Sequence, residues 1–261
     1  GVRALAQIPQ HTFGADQEGI VVNFYDSAEG HLILTSGAEV KLELRGDYPF
    51  SGNIDLKIQI QGVARFPVRM RLPGWCGDWN LSVNGDVQEI RPNKQGYLVI
   101  QRAWNSDDVI TLDLEMAARM IVDDLGNNGY AACVRGPLVY AADSAYLPEG
   151  RTLEDVVLLL GNSDVAKNFR LVKDEQGGAI HLRTPTAIFN SKKGIGWWRE
   201  RERYYAFENS NHIEVSGEIE LVPFYQAGNQ DKDIYFSGVW PHDERVSRYT
   251  YQVWLPYIFR E

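Results

Sequence analysis

The chain has 261 residues, of which 44% are hydrophobic and 23% are charged, and its net charge is −9 at pH 7. This length suits one large domain or two domains of ordinary size. The acidic balance, without a basic tract, argues against nucleic acid and anionic membranes as partners. No apolar run approaches the roughly 20 residues of a membrane-spanning helix.

The first residues predict the end of a helix. Val2, Leu5 and Ile8 recur at a helical spacing, and Pro9 ends the pattern. The sequence starts without Met and shows no signal-peptide pattern. We therefore expect an excised region, with a helical stub over residues 1–12 and a cellular location that the sequence does not tell.

From residue 19 onward the hydrophobic pattern has a period of two. Ile54, Leu56, Ile58 and Ile60 alternate with polar residues, which is typical of an antiparallel strand with one buried face. The dipeptide at 84–85 is Asn-Gly, a strong hairpin signal. Turn signals about 8 to 12 residues apart favour a first β-sandwich over residues 13–125.

A polar, glycine-rich stretch at residues 126–129 predicts the boundary between two domains. Strand-like segments continue after it, for example at 130–135 and 179–183, whereas the apolar run 153–160 suits either a short helix or a strand. The predicted second β-sandwich covers residues 126–261. The fold class is therefore all-β, with two consecutive antiparallel β-sandwich domains behind a short N-terminal helical stub.

Several residues are expected to have structural roles only. Cys76 and Cys133 lack metal-ligand spacing, so we expect two buried thiols that act as small hydrophobic residues. Trp75 and Trp104 are predicted to fill the core of the first sandwich. In the Arg135–Pro137 segment, Gly136 is expected to supply a positive φ.

No group of polar residues predicts a catalytic or metal site. Acid–base catalysis by carboxyl groups requires two that face each other, and none of the 35 acidic residues forms a distinctive pair. We interpret Asp107–Asp108 and Asp123–Asp124 as solvated turn carboxylates. The local cluster His242–Glu244 is interpreted as a polar loop, and Ser144 and Ser237 lack the context of an activated nucleophile.

Two adjacent tryptophans, Trp197 and Trp198, lie in a charged segment flanked by glycine. They could stack on sugar rings or cover a partner, contact another domain outside this chain, or fold back onto the second sandwich. Tyr204 and Tyr205 extend the same stretch. These four aromatic residues are the candidate contacts for a carbohydrate or a partner.

Three clusters of residues are too specific for a generic β-sheet sequence, and three further short motifs accompany them. The clusters are Arg69–Trp75 with Asn84–Gly85, Gly96–Tyr97 with Arg102–Trp104 and Asp107–Leu112, and Arg135–Tyr140, accompanied by Tyr48–Pro49, Pro223–Tyr225 and Val239–Trp240. In order and spacing they resemble the C-terminal β region of glycoside hydrolase family 127, typified by β-L-arabinofuranosidases. The resemblance extends over nearly the whole chain.

The resemblance implies a parent enzyme in which an N-terminal (α/α)6 barrel precedes two β-sandwiches. In that family the barrel holds zinc through one Glu and three Cys, one Cys being the proposed nucleophile, and another Glu is the general acid/base. A Cys-Cys-Pro motif lies just before the last barrel helix, which the stub at residues 1–12 resembles. This chain has no adjacent cysteine pair, and neither Cys76 nor Cys133 matches the motif. We therefore expect no catalytic residue and no cofactor in this chain.

Three hypotheses follow. The first is an accessory region that braces the catalytic barrel, mediates homodimer contacts, or both. The second is a carbohydrate-binding module that holds an oligosaccharide through the aromatic residues named above. The third is an isolated region in which a family segment that adds to the first sandwich is missing, leaving an exposed sheet edge.

Overall fold

The computed structural model describes residues 7–122, 130–147, 153, 156–161, 165–174, 178–189, 213–228 and 251–260. The chain divides into two compact units, Gly1–Met116 and Ala117–Glu261. The boundary predicted at residues 125 and 126 lies outside the described residues. In the described part of the chain, no helix is both long and apolar enough to cross a membrane.

The described part of the predicted stub is a single turn of 3₁₀ helix, Ile8–His11, with Pro9 in its first turn. The fixed φ of proline suits this position, because the first N–H groups of a helix have no intrahelical acceptor. Gln7, directly before this turn, is α-helical, so the prediction that a helical pattern ends at Pro9 is not contradicted. Residues 1–6 lie outside the described part.

The first unit consists of two sheets. Its strands are β1 Phe13–Asp16, β2 Gly19–Val22, β3 Ala28–Ile33, β4 Glu39–Gly46, β5 Asn53–Ile60, β6 Ala64–Arg71, β7 Trp79–Val83, β8 Asp86–Val87, β9 Tyr97–Trp104 and β10 Asp108–Leu114. One sheet has the order β1-β2-β6-β9 and the other β3-β4-β5-β10-β7-β8. All pairs are antiparallel except β2 with β6, which run parallel.

The inward side chains of both sheets form one hydrophobic core. Strand β5 alternates as predicted, with Ile54, Leu56 and Ile58 fully buried between polar neighbours. Trp104 is also fully buried, and its Nε1–H donates to the Phe66 carbonyl oxygen at 2.8 Å. Trp75 packs against this core while remaining partly exposed. The predicted role of Trp104 is confirmed.

The turn between β7 and β8 is the predicted hairpin. Asn84 has φ +52° and Gly85 has φ +88°, which are the left-handed conformations that this two-residue turn requires. The register that pairs Val83 with Asp86 follows from it.

The described strands of the second unit form one nine-stranded sheet. Its strands are β11 Ala118–Val122, β12 Tyr130–Arg135, β13 Leu138–Asp143, β14 Val156–Gly161, β15 Arg170–Lys173, β16 Ile180–Phe189, β17 Ile213–Pro223, β18 Tyr251–Gln252 and β19 Trp254–Arg260. The order is β11-β12-β19-β14-β16-β17-β13-β18, and β15 pairs with β16. An additional pairing of β12 with β13 closes the path through β19, β14, β16 and β17. The all-β prediction is confirmed.

The second unit also settles several local predictions. The run 153–160 contains strand β14, so the strand alternative is correct for residues 156–160. Gly136 has φ +56° in the tight turn between β12 and β13, as predicted. Cys133 is fully buried, and burial raises the pKa of its thiol to about 12. Cys76, in the first unit, is buried too, and neither cysteine forms a disulfide.

Replacing Trp104 with alanine tests the packing of the first unit. The change removes a fully buried indole and leaves the Phe66 carbonyl without its donor. We expect the free energy of unfolding to fall by about 3–5 kcal/mol, measured by urea denaturation followed by far-UV circular dichroism. The control Ile33→Ala removes an exposed side chain and should cost less than about 0.5 kcal/mol. Equal losses for the two variants would contradict this assignment of the core.

Candidate functional site

The aromatic residues predicted to contact a carbohydrate or partner, Trp197, Trp198, Tyr204 and Tyr205, lie outside the described residues. Their role stays a prediction. The same holds for the other candidate segments Asp123–Asp124, Ser237 and His242–Glu244. Ser144 is described, and it begins a short 3₁₀ turn, Ser144–Tyr146.

The carboxylates at 107 and 108 have different environments. Asp107 is exposed at a turn with φ +71° and forms an ion pair with Lys57 at 2.8 Å. Asp108 is only 6% exposed and accepts hydrogen bonds from the Asn84 side chain at 2.8 Å and the Asn105 backbone N–H at 2.9 Å. The interpretation as a solvated turn carboxylate is therefore wrong for Asp108, because local donors replace the water.

The pKa of Asp108 follows from these contacts. Burial raises the pKa of the carboxyl group, but the hydrogen bonds from Asn105 and Asn84 outweigh it and hold the pKa below its ordinary value. The carboxylate of Asp108 therefore connects the loop before β10 to the hairpin at Asn84. At neutral pH this group is not a proton donor.

In the second unit, polar side chains of three strands and one turn lie close together. We call this set the polar cluster, and it consists of Asp143, His181, Arg183, Glu220 and Gln226. Strands β13, β16 and β17 position four of these residues on the face opposite the core, because successive side chains of a strand point to opposite faces. The neighbouring positions 142, 182 and 221 point into the core instead.

Glu220 is the centre of the polar cluster. One carboxylate oxygen, Oε1, lies 2.6 Å from His181 Nδ1, and the other accepts a hydrogen bond from Arg183 Nε at 2.8 Å. Burial raises the pKa of this carboxyl group, but the hydrogen bonds from His181 and Arg183 lower it by more. The pKa therefore lies below its ordinary value. Glu220 therefore holds two side chains of β16 against β17 as a carboxylate.

The polar cluster also fixes two turns outside the sheet. His181 Nε2 lies 3.0 Å from Gln226 Oε1, and the Tyr146 ring meets the imidazole edge-to-face at 5.7 Å between centroids. The carboxylate of Asp143 accepts from the Ala145 N–H at 2.9 Å and from the Gly228 N–H at 2.8 Å. As a result His181 is only 2% exposed, and the turn at 224–228 is anchored to the sheet at two points.

Sequence reasoning missed the polar cluster. His181 and Glu220 are 39 positions apart, and the pairing of β16 with β17 that brings them together cannot be read from local patterns. One signal was present: His181 and Arg183 occupy alternate positions of one apolar strand, and Glu218 and Glu220 do so in another. Opposite charges on one face of two strands favour direct pairing.

Comparison with known proteins bears on the first unit directly. Residues 19–116 match the family described as "Beta-L-arabinofuranosidase, GH127 middle domain". For these residues the resemblance to glycoside hydrolase family 127 is confirmed. The matched GH127 middle domain runs from β2 to the end of β10 and contains Trp104 and Asp108. No curated protein matches the sequence.

Solved structures match both units. A protein described as a glycoside hydrolase has a TM-score of 0.75 and 21% identity, over 98% of this chain and 38% of that chain. A GH127 beta-L-arabinofuranosidase from Geobacillus stearothermophilus T6 has a TM-score of 0.73 and 19% identity, over 98% and 36%. A GH127 beta-arabinofuranosidase has a TM-score of 0.70 and 22% identity, over 98% and 37%. These likenesses show a shared fold, and this chain spans little more than a third of each matched chain.

The substitution Glu220→Gln tests the polar cluster. It keeps the shape of the side chain but removes the charge that His181 and Arg183 contact, so we expect a loss of about 1–3 kcal/mol at pH 7. A matched control is Glu218→Gln, because Glu218 lies on the same strand with an exposed side chain that pairs with Arg170. That exposed pair should contribute less than about 1 kcal/mol.

The pH dependence of Glu220→Gln has a definite sign. The folded-state pKa of Glu220 lies below the ordinary value of 4.5, so the unfolded state binds more protons in the window just below pH 4.5. The stabilisation is complete above this window and is lost as the pH falls through the folded-state pKa. Thermal unfolding at pH 7 and at lower pH should therefore show the gap between wild type and Glu220→Gln closing in acid. A gap that widens in acid would contradict the assignment.

Proposed function

We propose that this chain supports the catalytic barrel of a GH127-like glycoside hydrolase and cleaves no glycosidic bond itself. The observation that carries the proposal concerns the carboxyl groups. Among the described residues, the carboxyl groups with a clearly displaced pKa are those of Asp16, Asp108 and Glu220, and each displacement is downward.

A general acid in glycoside hydrolysis needs the opposite displacement. Its carboxyl group must keep a proton near neutral pH, which requires burial without compensating donors. Asp16 instead pairs with Arg69, whose hydrogen bond lowers the pKa of the carboxyl group. Asp108 and Glu220 are held by the donors described above. These carboxylates therefore act as structural acceptors.

The cysteine content supports the same proposal. The zinc site that the resemblance implies needs three cysteines, and the whole chain has two. Cys133 is enclosed in the core of the second unit, and Cys76 Sγ–H donates to the Asp78 carbonyl oxygen at 2.9 Å in the first unit. The residues of this chain do not fit that zinc site, so we assign the metal and the bond cleavage to a partner barrel.

A stability measurement tests the bracing role. The catalytic barrel encoded with this chain is produced with and without it, and the thermal midpoint of the barrel is followed by differential scanning calorimetry. Because a bound partner stabilises the folded state, we expect a higher midpoint when the chain is present. The Trp104→Ala variant should give a smaller rise than Ile33→Ala. An unchanged midpoint with wild-type chain would contradict bracing.

A further inference from the structure

Three exposed aromatic side chains lie around the turn that the polar cluster anchors. Phe224 is 48% exposed, Tyr225 is 52% exposed and Tyr251 is 39% exposed. We call these three residues the aromatic rim. Large apolar side chains gathered at one surface position mark an interaction site more often than single exposed ones do.

The backbone on both sides of the aromatic rim is fixed. The Phe224 N–H donates to the Val139 carbonyl oxygen at 2.8 Å, and the Gly228 N–H donates to the Asp143 carboxylate. Tyr251 lies opposite Asp143 in the pairing of β18 with β13. The Phe224 and Tyr251 rings meet edge-to-face, with centroids 5.5 Å apart and an interplanar angle of 75°. A ligand would therefore find the rings already ordered, which reduces the entropy lost on binding.

Polar groups stand beside these rings. The Gln226 side chain follows directly in the turn and is oriented by His181. Partial burial and the charge of Asp174 raise the pKa of the Tyr225 phenol. The rim thus combines flat apolar faces with hydroxyl and amide groups that both donate and accept hydrogen bonds.

We propose that the aromatic rim is an oligosaccharide-binding site. A sugar ring has an apolar face of C–H groups, which packs on aromatic rings, and a circumference of hydroxyl groups, which exchange hydrogen bonds with Tyr225 and Gln226. A stable protein partner is less suited, since specific protein interfaces bury about 1,200–2,000 Å² in total and the rim, within the described residues, is three side chains wide. This binding site does not depend on the proposed bracing role. The polar cluster keeps its function of holding the 224–228 turn in place.

Calorimetric titration of the whole chain with arabinotetraose and xylotetraose tests the proposal. We expect saturable binding of at least one of them with a dissociation constant in the millimolar range or tighter. Phe224→Ala and Tyr251→Ala should each weaken it by about tenfold, because each removes an aromatic face. Tyr225→Phe keeps the ring and should weaken it less than Tyr225→Ala does.

The controls separate the rim from other surfaces. Leu171→Ala and Ile121→Ala remove side chains of similar exposure elsewhere on the second unit and should leave the affinity unchanged. Circular dichroism verifies the fold of every variant. Absence of saturable binding to both tetrasaccharides overturns the proposal. So does binding that is abolished by Trp197→Ala with Trp198→Ala but unchanged in the rim variants. A rim variant that dissociates a dimer, seen by sedimentation, without affecting sugar binding would assign the rim to a second copy of the chain.

Discussion

The first unit depends on the burial of one face of its long strands. Leu56 of β5 lies between Leu44 of β4 and Ile110 of β10, and all three side chains point into the same core. A slip of one residue would place Asp55 and Lys57 in that core, where an unpaired charge is costly. The register therefore fixes the sheet, the enclosure of Trp104 and the hydrogen bonds of Asp108.

In the second unit, a layer of polar contacts lies on the strand face opposite the hydrophobic core. The sheet of this unit closes through the pairing of β12 with β13, so the inner faces of the strands form one core. On the outer face of β16 and β17, Glu220 and His181 are covered by turns and satisfy one another's hydrogen bonds. This arrangement holds the 224–228 turn and presents the aromatic rim. Within the second unit, the polar cluster is thus assigned structural support, and the aromatic rim is proposed to contact a ligand.

The sequence predicted what local patterns determine. The alternation at 54–60, the turn at Asn84–Gly85 and the positive φ of Gly136 each depend on neighbours along the chain, and the structure confirms them. The contacts that the sequence did not predict depend on strands and turns that are far apart along the chain. Asp108 is buried because Asn84 approaches from another hairpin, and His181 meets Glu220 only through β16 and β17. Nothing in the composition of either segment specifies these contacts.

The central claim is that this chain contributes a scaffold to glycoside hydrolysis and leaves the bond cleavage to a barrel. The most direct measurement is the release of p-nitrophenol from p-nitrophenyl β-L-arabinofuranoside by the purified chain alone, at several enzyme concentrations. The account predicts a rate equal to that of the buffer. A rate that rises in proportion to the chain concentration and saturates with substrate would contradict it.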